Sequence, residues 1–273
     1  MSASKPDASA RRVALVTGAA QRIGREIALH LAAQGWDIAV HFRSSRDAAV
    51  STVAELRELG ADAEVFVADL ADEAACVALV PAVTKHFTRL DAVVNNAALF
   101  EHDDVSSFST ECMSRHWRAN TAPAILLARA LHAHCKARQT EGVQGVVINL
   151  LDQKLFNPNP DHLSYTLSKA ALQAATTMLA MALAPQLRVC AVAPGVTLPS
   201  GDMSAAEFDA AQRMTLLARS STPVDVARAV HFLLESPAIT GSTLLVDGGQ
   251  HLTAQPRDVM FLARGDRNSA QGN

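Results

Sequence analysis

Short apolar runs alternate with longer stretches of helical periodicity along most of this chain. The apolar runs are continuous rather than alternating, which is typical of strands buried on both faces of a parallel sheet. The predicted strands are residues 12–18, 37–42, 63–70, 90–98, 145–151, 187–194 and 242–249. The predicted helices are residues 22–35, 46–60, 73–87, 119–137, 164–185 and 223–235.

This order predicts an α/β fold: a doubly wound, Rossmann-type parallel sheet of about seven strands with helices on both faces. A chain of 273 residues with 49% hydrophobic content can bury one full core. We therefore expect a single domain over residues 11–263, with disordered polar ends at 1–10 and 264–273. Residues 195–221, rich in Gly, Pro and Ser, are expected to form a mobile segment over the carboxyl-terminal edge of the sheet.

Composition removes several classes of partner. Against 27 acidic residues stand 24 lysines and arginines, a formal net charge of −3 without a block of like charge, so we expect no nucleic-acid partner. No signal peptide and no run of about 18 apolar residues is visible, so we expect no membrane association and a cytoplasmic location. The cysteines are too far apart to predict a metal site or a disulfide framework: Cys76, Cys112, Cys135 and Cys190.

The stretch "TGAAQRIG" (17–24) lies between the first predicted strand and helix. Glycines at such a turn let backbone amides approach a pyrophosphate, and the helix N-terminus favours negative charge. Gly18 and Gly24 suit this purpose, whereas Arg22 stands where backbone clearance is usually wanted. We expect Arg22 to contact the phosphates of a dinucleotide; the alternative is an ordinary solvated helix arginine.

The end of the second predicted strand indicates which dinucleotide is bound. An acidic residue there would bind a ribose 2′-hydroxyl, but "VHFRSS" offers Arg43, Ser44 and Ser45. Asp37 is the nearest acid, and it lies at the wrong end of the strand. Because a guanidinium and hydroxyls donate hydrogen bonds, they suit a 2′-phosphate, and we predict NADP(H) as cofactor.

"YTLSK" places Tyr165 and Lys169 on one face of a helix, and Tyr165 is the only tyrosine of the chain. An ammonium near a phenol stabilises the phenolate and lowers its pKa. Tyrosine can then pass a proton to a carbonyl or imine as hydride arrives from a nicotinamide.

These motifs, with "NNAA" at 95–98, Asn120 and "PG" at 194–195, follow the order of the short-chain dehydrogenase/reductase family over nearly the whole chain. The resemblance implies that Tyr165 and Lys169 are catalytic and that Asn120 helps to hold the lysine through water; alternatively, Asn120 only caps or kinks its helix. By the same resemblance, Asp69 is similar to the acidic residue of that family that contacts the adenine of the cofactor. The implied cofactor contacts are Gly18, Arg22, Ile23, Gly24, Arg43, Ser44, Asp69, Leu70, Asn96, Ala97, Tyr165, Lys169, Pro194 and Gly195.

Most members of that family have a serine thirteen residues before the tyrosine, where this chain has Asp152. Together with Arg22, the Arg-Ser pair and Phe100, Asp152 resembles the pteridine reductase branch, which includes dihydromonapterin reductases. The resemblance implies that Asp152, Tyr165 and Lys169 act together and that Phe100 stacks a pterin ring against the nicotinamide. A carboxylate can accept the ring's N–H donors or relay a proton. Asp152 as a turn cap and Phe100 as a core or lid aromatic are the alternatives.

The leading hypothesis is therefore an NADPH-dependent reductase of a small pterin-like substrate. A general carbonyl reductase and a catalytically silent NADPH-binding sensor are the other two. The family is usually dimeric or tetrameric, and the alanine-rich helices favour a homo-oligomer. Apolar residues continue past the last strand, and we expect residues 250–263 to pack against a neighbouring subunit. His102, His116 and His162 are interpreted as solvated loop histidines.

Overall fold

The computed structural model describes residues 11–138, 145–201 and 203–265. The predicted disordered N-terminus, 1–10, and residues 266–273 of the predicted C-terminal tail lie outside the described residues. Arg264 lies within them, and its Nε donates to Glu207 Oε1 over 3.1 Å.

Seven parallel strands form one sheet. The strands are β1 Arg12–Val16, β2 Trp36–Phe42, β3 Ala63–Val67, β4 Ala92–Asn95, β5 Gly145–Leu150, β6 Leu187–Pro194 and β7 Thr243–Val246. They lie in the order β3-β2-β1-β4-β5-β6-β7. This is the doubly wound order, reversing direction between β1 and β4, and it confirms the predicted fold class.

Helices cover both faces of the sheet. The described α-helices are α1 Arg22–Ala33, α2 Arg46–Glu58, α3 Glu73–Phe87, α4 Thr110–His116, α5 Ala122–Ala137, α6 Leu163–Leu183, α7 Ala205–Arg213, α8 Pro223–Glu235 and α9 Val259–Ala263. One core cluster joins the sheet to α1, α2 and α8, and a second joins it to α3, α5 and α6.

Strand β1 shows how the two cores are built. Ala14 and Val16 belong to the cluster with α1, α2 and α8, whereas Val13 and Leu15 belong to the cluster on the opposite face. Because side chains alternate across a strand, both faces need apolar residues when both are covered. The continuous apolar runs of the sequence therefore follow directly from the two-sided burial of the sheet.

Three short helices were not predicted: α4, α7 and α9. Their first turns are held by local caps that a search for apolar periodicity overlooks. Ser109 accepts from Cys112 N, Asp258 accepts from Met260 N, and Ser204 forms a reciprocal capping box with Glu207. A π-helical turn, Trp117–Thr121, joins α4 to α5, so the helix predicted from residue 119 begins at Ala122.

Residues 250–263 are predicted to pack against a neighbouring subunit, and this contact stays a prediction. Within the chain itself, Val259 is buried with Met203 and Ala211 of the region around α7. Leu252 is 68% exposed and remains without such cover. Among the described residues, no helix is both long and apolar enough to cross a membrane.

Candidate active site

A cleft of about 740 Å³ opens at the carboxyl-terminal edge of the sheet, on both sides of the β1–β4 switch point. It collects every predicted site residue except Asn120. The predicted residues that line it are Gly18, Arg22, Ile23, Gly24, Arg43, Ser44, Asp69, Leu70, Asn96, Ala97, Phe100, Asp152, Tyr165, Lys169, Pro194 and Gly195.

The glycine-rich turn is packed too closely for side chains at its glycines. Gly18 has a left-handed φ of +64°. A Cβ at Gly24 would overlap the carbonyl oxygen of Gly18 and lie 2.5 Å from Asn96 Nδ2. The turn therefore presents bare backbone to the cleft just before the N-terminus of α1, as a phosphate-binding loop requires.

Arg22 also has a left-handed backbone, with φ of +56°, at the position where a glycine would fit without strain. Its side chain is exposed in the cleft, and Nη2 donates to the carbonyl oxygen of Pro199 over 2.8 Å. Arg22 thus spans from the glycine-rich turn to the segment that follows β6. This geometry places a guanidinium over the cleft.

Two residues that sequence reasoning missed hold the floor of the turn. Thr17 Oγ1 accepts from the backbone amides of Asn96 and Ala97 over 2.9 and 3.0 Å, joining the ends of β1 and β4. His41 Nδ1 accepts from Gly18 N over 3.1 Å, and Nε2 lies 3.1 Å from the Ala68 carbonyl oxygen. Burial lowers the pKa of His41, which favours the neutral ring with its proton on Nε2.

The end of β2 presents hydrogen-bond donors to the cleft. Arg43 and Ser44 are exposed there, directly after Phe42. Asp37 lies at the opposite end of the strand, as the sequence indicated. There its Oδ1 is 2.9 Å from Arg11 Nε. Asp69 is exposed at the rim, and its side chain accepts from Ala71 N over 3.0 Å.

The far wall of the cleft is formed after β6. Gly195 follows Pro194, and a Cβ at Gly195 would lie 2.5 Å from Ser220 Oγ and 2.8 Å from Gln250 Oε1. Thr197 Oγ1 and Ser221 Oγ are 2.6 Å apart. Part of the predicted 195–221 segment thus lines the cleft at the carboxyl-terminal edge of the sheet, and its mobility stays a prediction.

The side chains of Tyr165 and Lys169 point from α6 toward the carboxyl end of β5. The Tyr165 hydroxyl donates to Asp152 Oδ2 over 3.0 Å, and Lys169 Nζ donates to the Leu150 carbonyl oxygen over 2.6 Å. Burial lowers the pKa of Lys169 to about 8, against the attraction of Asp152. Burial and the Asp152 carboxylate raise the pKa of Tyr165 well above its ordinary value, which corrects the expectation that the nearby ammonium lowers it. The tyrosine is therefore held in its protonated form.

Asp152 both caps a turn and faces the phenol; the cap is thus present, and the predicted catalytic role stays a prediction. Oδ1 accepts from Lys154 N over 2.8 Å at the start of a short 3-10 helix, and Oδ2 accepts from Tyr165. Burial raises the pKa of Asp152, whereas the Lys154 amide and ammonium lower it.

Phe100 lies at the mouth of the cleft and is 43% exposed. Its ring is perpendicular to Tyr165, with 4.7 Å between centroids, and it stacks on His162 at 4.2 Å. His162 is buried rather than solvated, with Nδ1 at 3.2 Å from the Glu101 carbonyl oxygen. One face of Phe100 is thereby held by protein.

Asn120 lies behind the cleft in the π-helical turn. Its Oδ1 accepts from Leu99 N over 2.7 Å, and Nδ2 donates to Leu99 O and Ser168 Oγ over 3.0 and 2.9 Å. The amide is thus committed to the backbone that leads into Phe100 and to α6. Asn120 does not line the cleft, and its predicted catalytic role stays a prediction.

The C-terminal segment contributes a wall of the cleft that sequence reasoning missed. Asp258 and Val259 line the cleft. Arg257 makes a bidentate ion pair with buried Asp161, with Nε 2.9 Å from both carboxylate oxygens. Asn157 Nδ2 donates to the Thr253 carbonyl oxygen over 2.6 Å. These contacts fasten residues 253–258 to the loop between Asp152 and α6.

Three potential metal ligands meet beside the cleft: Glu101, Cys112 and His116. Their polar atoms are already engaged, since Glu101 pairs with Arg115 at 2.7 Å and His116 Nδ1 lies 2.9 Å from the Cys112 carbonyl oxygen. His116 is fully buried, which corrects its interpretation as a solvated histidine.

Comparison with known proteins agrees with this geometry. Residues 18–251 match the family model described as enoyl-(acyl carrier protein) reductase. The chain belongs to the short-chain dehydrogenase/reductase family. It is therefore an oxidoreductase of a family that uses NAD(P)H, which confirms the predicted enzyme class and the class of cofactor.

The relatives of this short-chain dehydrogenase/reductase have names that refer to different activities. The structure of FolM alternative dihydrofolate reductase 1 from Brucella canis, complexed with NADP, is 33% identical, covers 91% of this chain and 97% of its own, and superimposes with a TM-score of 0.82. A short-chain dehydrogenase from Burkholderia cenocepacia in complex with NADP is 32% identical over 88% of this chain and 97% of its own, with a TM-score of 0.78. A putative ketoacyl reductase 2 of granaticin polyketide synthase from Streptomyces violaceoruber is 32% identical over 90% of this chain and 98% of its own.

Proposed function

We propose that this protein uses NADPH to reduce a C=N or C=C bond of a pterin-like ring. The observation that carries the proposal is the hydrogen bond from Tyr165 to Asp152 in a cleft whose mouth holds the half-exposed ring of Phe100. This pairing joins a proton donor, a carboxylate acceptor and an aromatic surface, and a flat, nitrogen-rich heterocycle can use all three.

The cleft suits a dinucleotide phosphate. Gly24 leaves no room for a side chain, and α1 directs its N-terminal amides toward the same turn. Arg22 is the cation nearest that turn, and Arg43 and Ser44 would hold a 2′-phosphate on the adenosine ribose. The preference for NADP over NAD rests on this donor set and on the absence of an acid at the end of β2. When bound, the cofactor supplies the hydride.

Tyr165 would supply the proton. Its pKa is raised by burial and by Asp152, so the phenol keeps its proton at neutral pH, as a donor in the reductive direction must. The proton goes to the ring nitrogen of a C=N bond whose carbon receives the hydride, and the resulting phenolate is stabilised by the Lys169 ammonium. A carboxylate beside the tyrosine therefore keeps the phenol in the form that can donate the proton.

The substrate side of the cleft is rich in hydrogen-bond acceptors. Asp152 and Asp258 both line it, and Gln153, which also lines it, has a buried side-chain oxygen with no hydrogen-bond partner. Ionised carboxylates only accept hydrogen bonds, so this wall favours a ring that presents several N–H donors. The amide and amine edge of a pterin fits that requirement. The likeness to FolM dihydrofolate reductase supports the same class of substrate, since dihydrofolate contains a pterin ring.

The test is NADPH oxidation by purified protein with dihydrobiopterin, dihydromonapterin, dihydrofolate and a reactive diketone. We expect turnover of at least one pterin and its loss in Tyr165→Phe, with NADPH binding retained by fluorescence. NADPH binding without turnover of any pterin would overturn the proposal.

A second candidate is a general NADPH-dependent carbonyl reductase. Tyr165 and Lys169 serve a carbonyl as well as an imine, and the granaticin relative is named a ketoacyl reductase. Asp152→Ser would decide between the two. If Asp152 is the substrate-side acceptor for a pterin, this variant loses pterin turnover and gains ketone reduction. Equal diketone turnover by both proteins favours the carbonyl reductase.

We also propose that the protein is a homo-oligomer, a dimer or a tetramer. One helix carries large apolar side chains that the chain itself leaves uncovered: on α6, Met178 and Met181 are 67% and 78% exposed and Leu167 is 46% exposed. Burial of such residues between subunits stabilises association. Sedimentation at micromolar concentration tests this, and a monomer there contradicts it.

A further inference from the structure

A buried lysine lies next to the reacting groups and takes no part in the proton transfer proposed for Tyr165. Lys154 is 3% exposed, two residues after Asp152. Its ammonium donates to the Asp161 carbonyl oxygen and lies 3.6 Å from Asp258 Oδ2. An ammonium is costly to bury and remains charged there only beside compensating groups.

Those compensating groups come from both sides of the cleft. Asp258 belongs to the C-terminal segment, which Asp161 fastens through Arg257 and through its own hydrogen bond from Asp258 N over 2.7 Å. Asp152 adds a second carboxylate that attracts Lys154. Lys154 thus contacts both carboxylates that line the cleft, Asp152 through its backbone amide over 2.8 Å and Asp258 through its ammonium at 3.6 Å.

Asp152 needs such a neighbour. Burial raises its pKa, and Asp258 raises it further by repulsion. Lys154 opposes both through its backbone amide and its ammonium, while Tyr165 donates a hydrogen bond that favours the ionised form. Lys169 lies on the α6 side of the same group. Lys154 therefore adds a cation from the turn after β5, whereas Lys169 and Tyr165 belong to α6.

We propose that Lys154 is a positioning residue: its backbone amide holds Asp152 Oδ1 and leaves Oδ2 to Tyr165, its buried ammonium keeps the carboxylate ionised, and Asp258 of the C-terminal segment opposes this second effect. The inference rests on the proposed function, in which Asp152 accepts hydrogen bonds as a carboxylate. A protonated Asp152 would present its own O–H to the N–H donors of the substrate ring, and the hydrogen bonds from those donors would be lost. Lys154 thereby sets the lowest pH at which the site binds its substrate.

The only tyrosine of the chain offers a direct readout. With ¹³C at its Cζ, Tyr165 gives a single signal that reports protonation of Asp152 through their hydrogen bond. We expect Lys154→Met to raise the midpoint of this titration by about one pH unit or more, because an apolar neighbour no longer favours the carboxylate. Lys154→Arg keeps the charge and should keep the midpoint. Asp258→Asn removes a repulsive charge and should lower it.

Opposite shifts in Lys154→Met and Asp258→Asn are the signature of the proposal, since loosened packing would move both midpoints in the same direction. Asp152→Asn should abolish the inflection, which assigns it. An unchanged midpoint in folded Lys154→Met overturns the inference. If that variant does not fold, Asp258→Asn decides alone, and a midpoint that stays or rises overturns it.

Kinetics give the second arm. In Lys154→Met the acidic limb of kcat/KM should move up with the tyrosine signal, giving about a tenfold loss at pH values below the midpoint and recovery at higher pH. A purely structural effect would lower the rate equally at every pH. Because the tyrosine signal needs no substrate, a shifted midpoint without pterin turnover leaves this inference standing and refutes only the proposed function.

Discussion

The Tyr165 hydroxyl donates a hydrogen bond to Asp152 Oδ2 over 3.0 Å. This contact joins α6, which carries Tyr165, to the turn after β5, which carries Asp152. The short distance means that the charge of either group changes the proton affinity of the other. A serine in place of Asp152 would carry no charge and could not provide this coupling, so its consequences can be measured.

The first prediction concerns the pKa of Tyr165. Asp152→Asn removes the nearby negative charge and leaves the burial of the phenol unchanged, so the pKa of Tyr165 should fall toward its ordinary value. The measurement is an alkaline titration of the ¹³Cζ signal of this single tyrosine. Pterin turnover in the same variant should fall at least about tenfold, since a neutral amide is a weaker acceptor than a carboxylate. A pKa that stays or rises would contradict the coupling.

The second prediction concerns Lys169 and the basic limb of the pH profile. Its pKa is lowered to about 8 by burial, so the ammonium is present below that pH and is lost as the pH rises through it. Activity should therefore decline above about pH 8. Tyr165 is not the source of this limb, because its own pKa is raised well above the ordinary value.

Lys169→Arg separates these possibilities, since a guanidinium stays charged across this range. The limb near pH 8 should disappear in that variant, even if its rate is lower throughout. Lys169→Met should be poorly active at every pH. A limb that stays near pH 8 in Lys169→Arg would show that another group titrates there.

The third prediction concerns the choice of cofactor. Arg43→Ala removes the exposed guanidinium at the end of β2 and should raise the Kd for NADPH about tenfold, the low end for a charge-assisted hydrogen bond at an exposed site. The Kd for NADH should not change. Arg46→Ala is the matched control, because Arg46 is exposed three residues away but does not line the cleft. Equal losses for both cofactors would indicate damage to the loop rather than loss of a phosphate contact.

The sequence is sufficient for those parts of the site that a local spacing encodes. Gly18 and Gly24 lie within one short loop, and Tyr165 and Lys169 lie one helical turn apart, so the spacing alone predicts that the members of each pair lie together. The sheet brings the two pairs to the same edge because each motif lies at the carboxyl end of a strand or on a helix beside it.

The contacts between distant segments could not be predicted in this way. Lys154 and Asp258 meet only because Arg257 and Asp161 fasten the C-terminal segment to the loop after β5. No apolar periodicity or motif spacing relates these positions. His41 was missed for another reason: it continues an apolar strand, and only the folded arrangement brings its ring to Gly18 N.

The last prediction concerns Phe100, which is either a substrate-binding surface or an ordinary aromatic of the rim. One face stacks on His162, and the ring edge meets Tyr165, so the exposed part of the ring borders the reacting groups. Phe100→Ala should raise the KM for dihydrobiopterin about three- to tenfold, which corresponds to the loss of one aromatic contact. The Kd for NADPH, measured by fluorescence, should stay the same.

Phe108 provides a control of the same residue type and the same exposed fraction, 43%, outside the lining of the cleft. Phe108→Ala should leave both constants unchanged, because its ring does not border the reacting groups. Phe100→Leu distinguishes an aromatic contact from simple apolar cover: a stacking role predicts a loss close to that of Phe100→Ala, whereas a lid role predicts near-normal binding. If Phe100→Ala and Phe108→Ala give the same KM for dihydrobiopterin and the same Kd for NADPH, Phe100 does not stack on a pterin. The carbonyl reductase then becomes the better assignment.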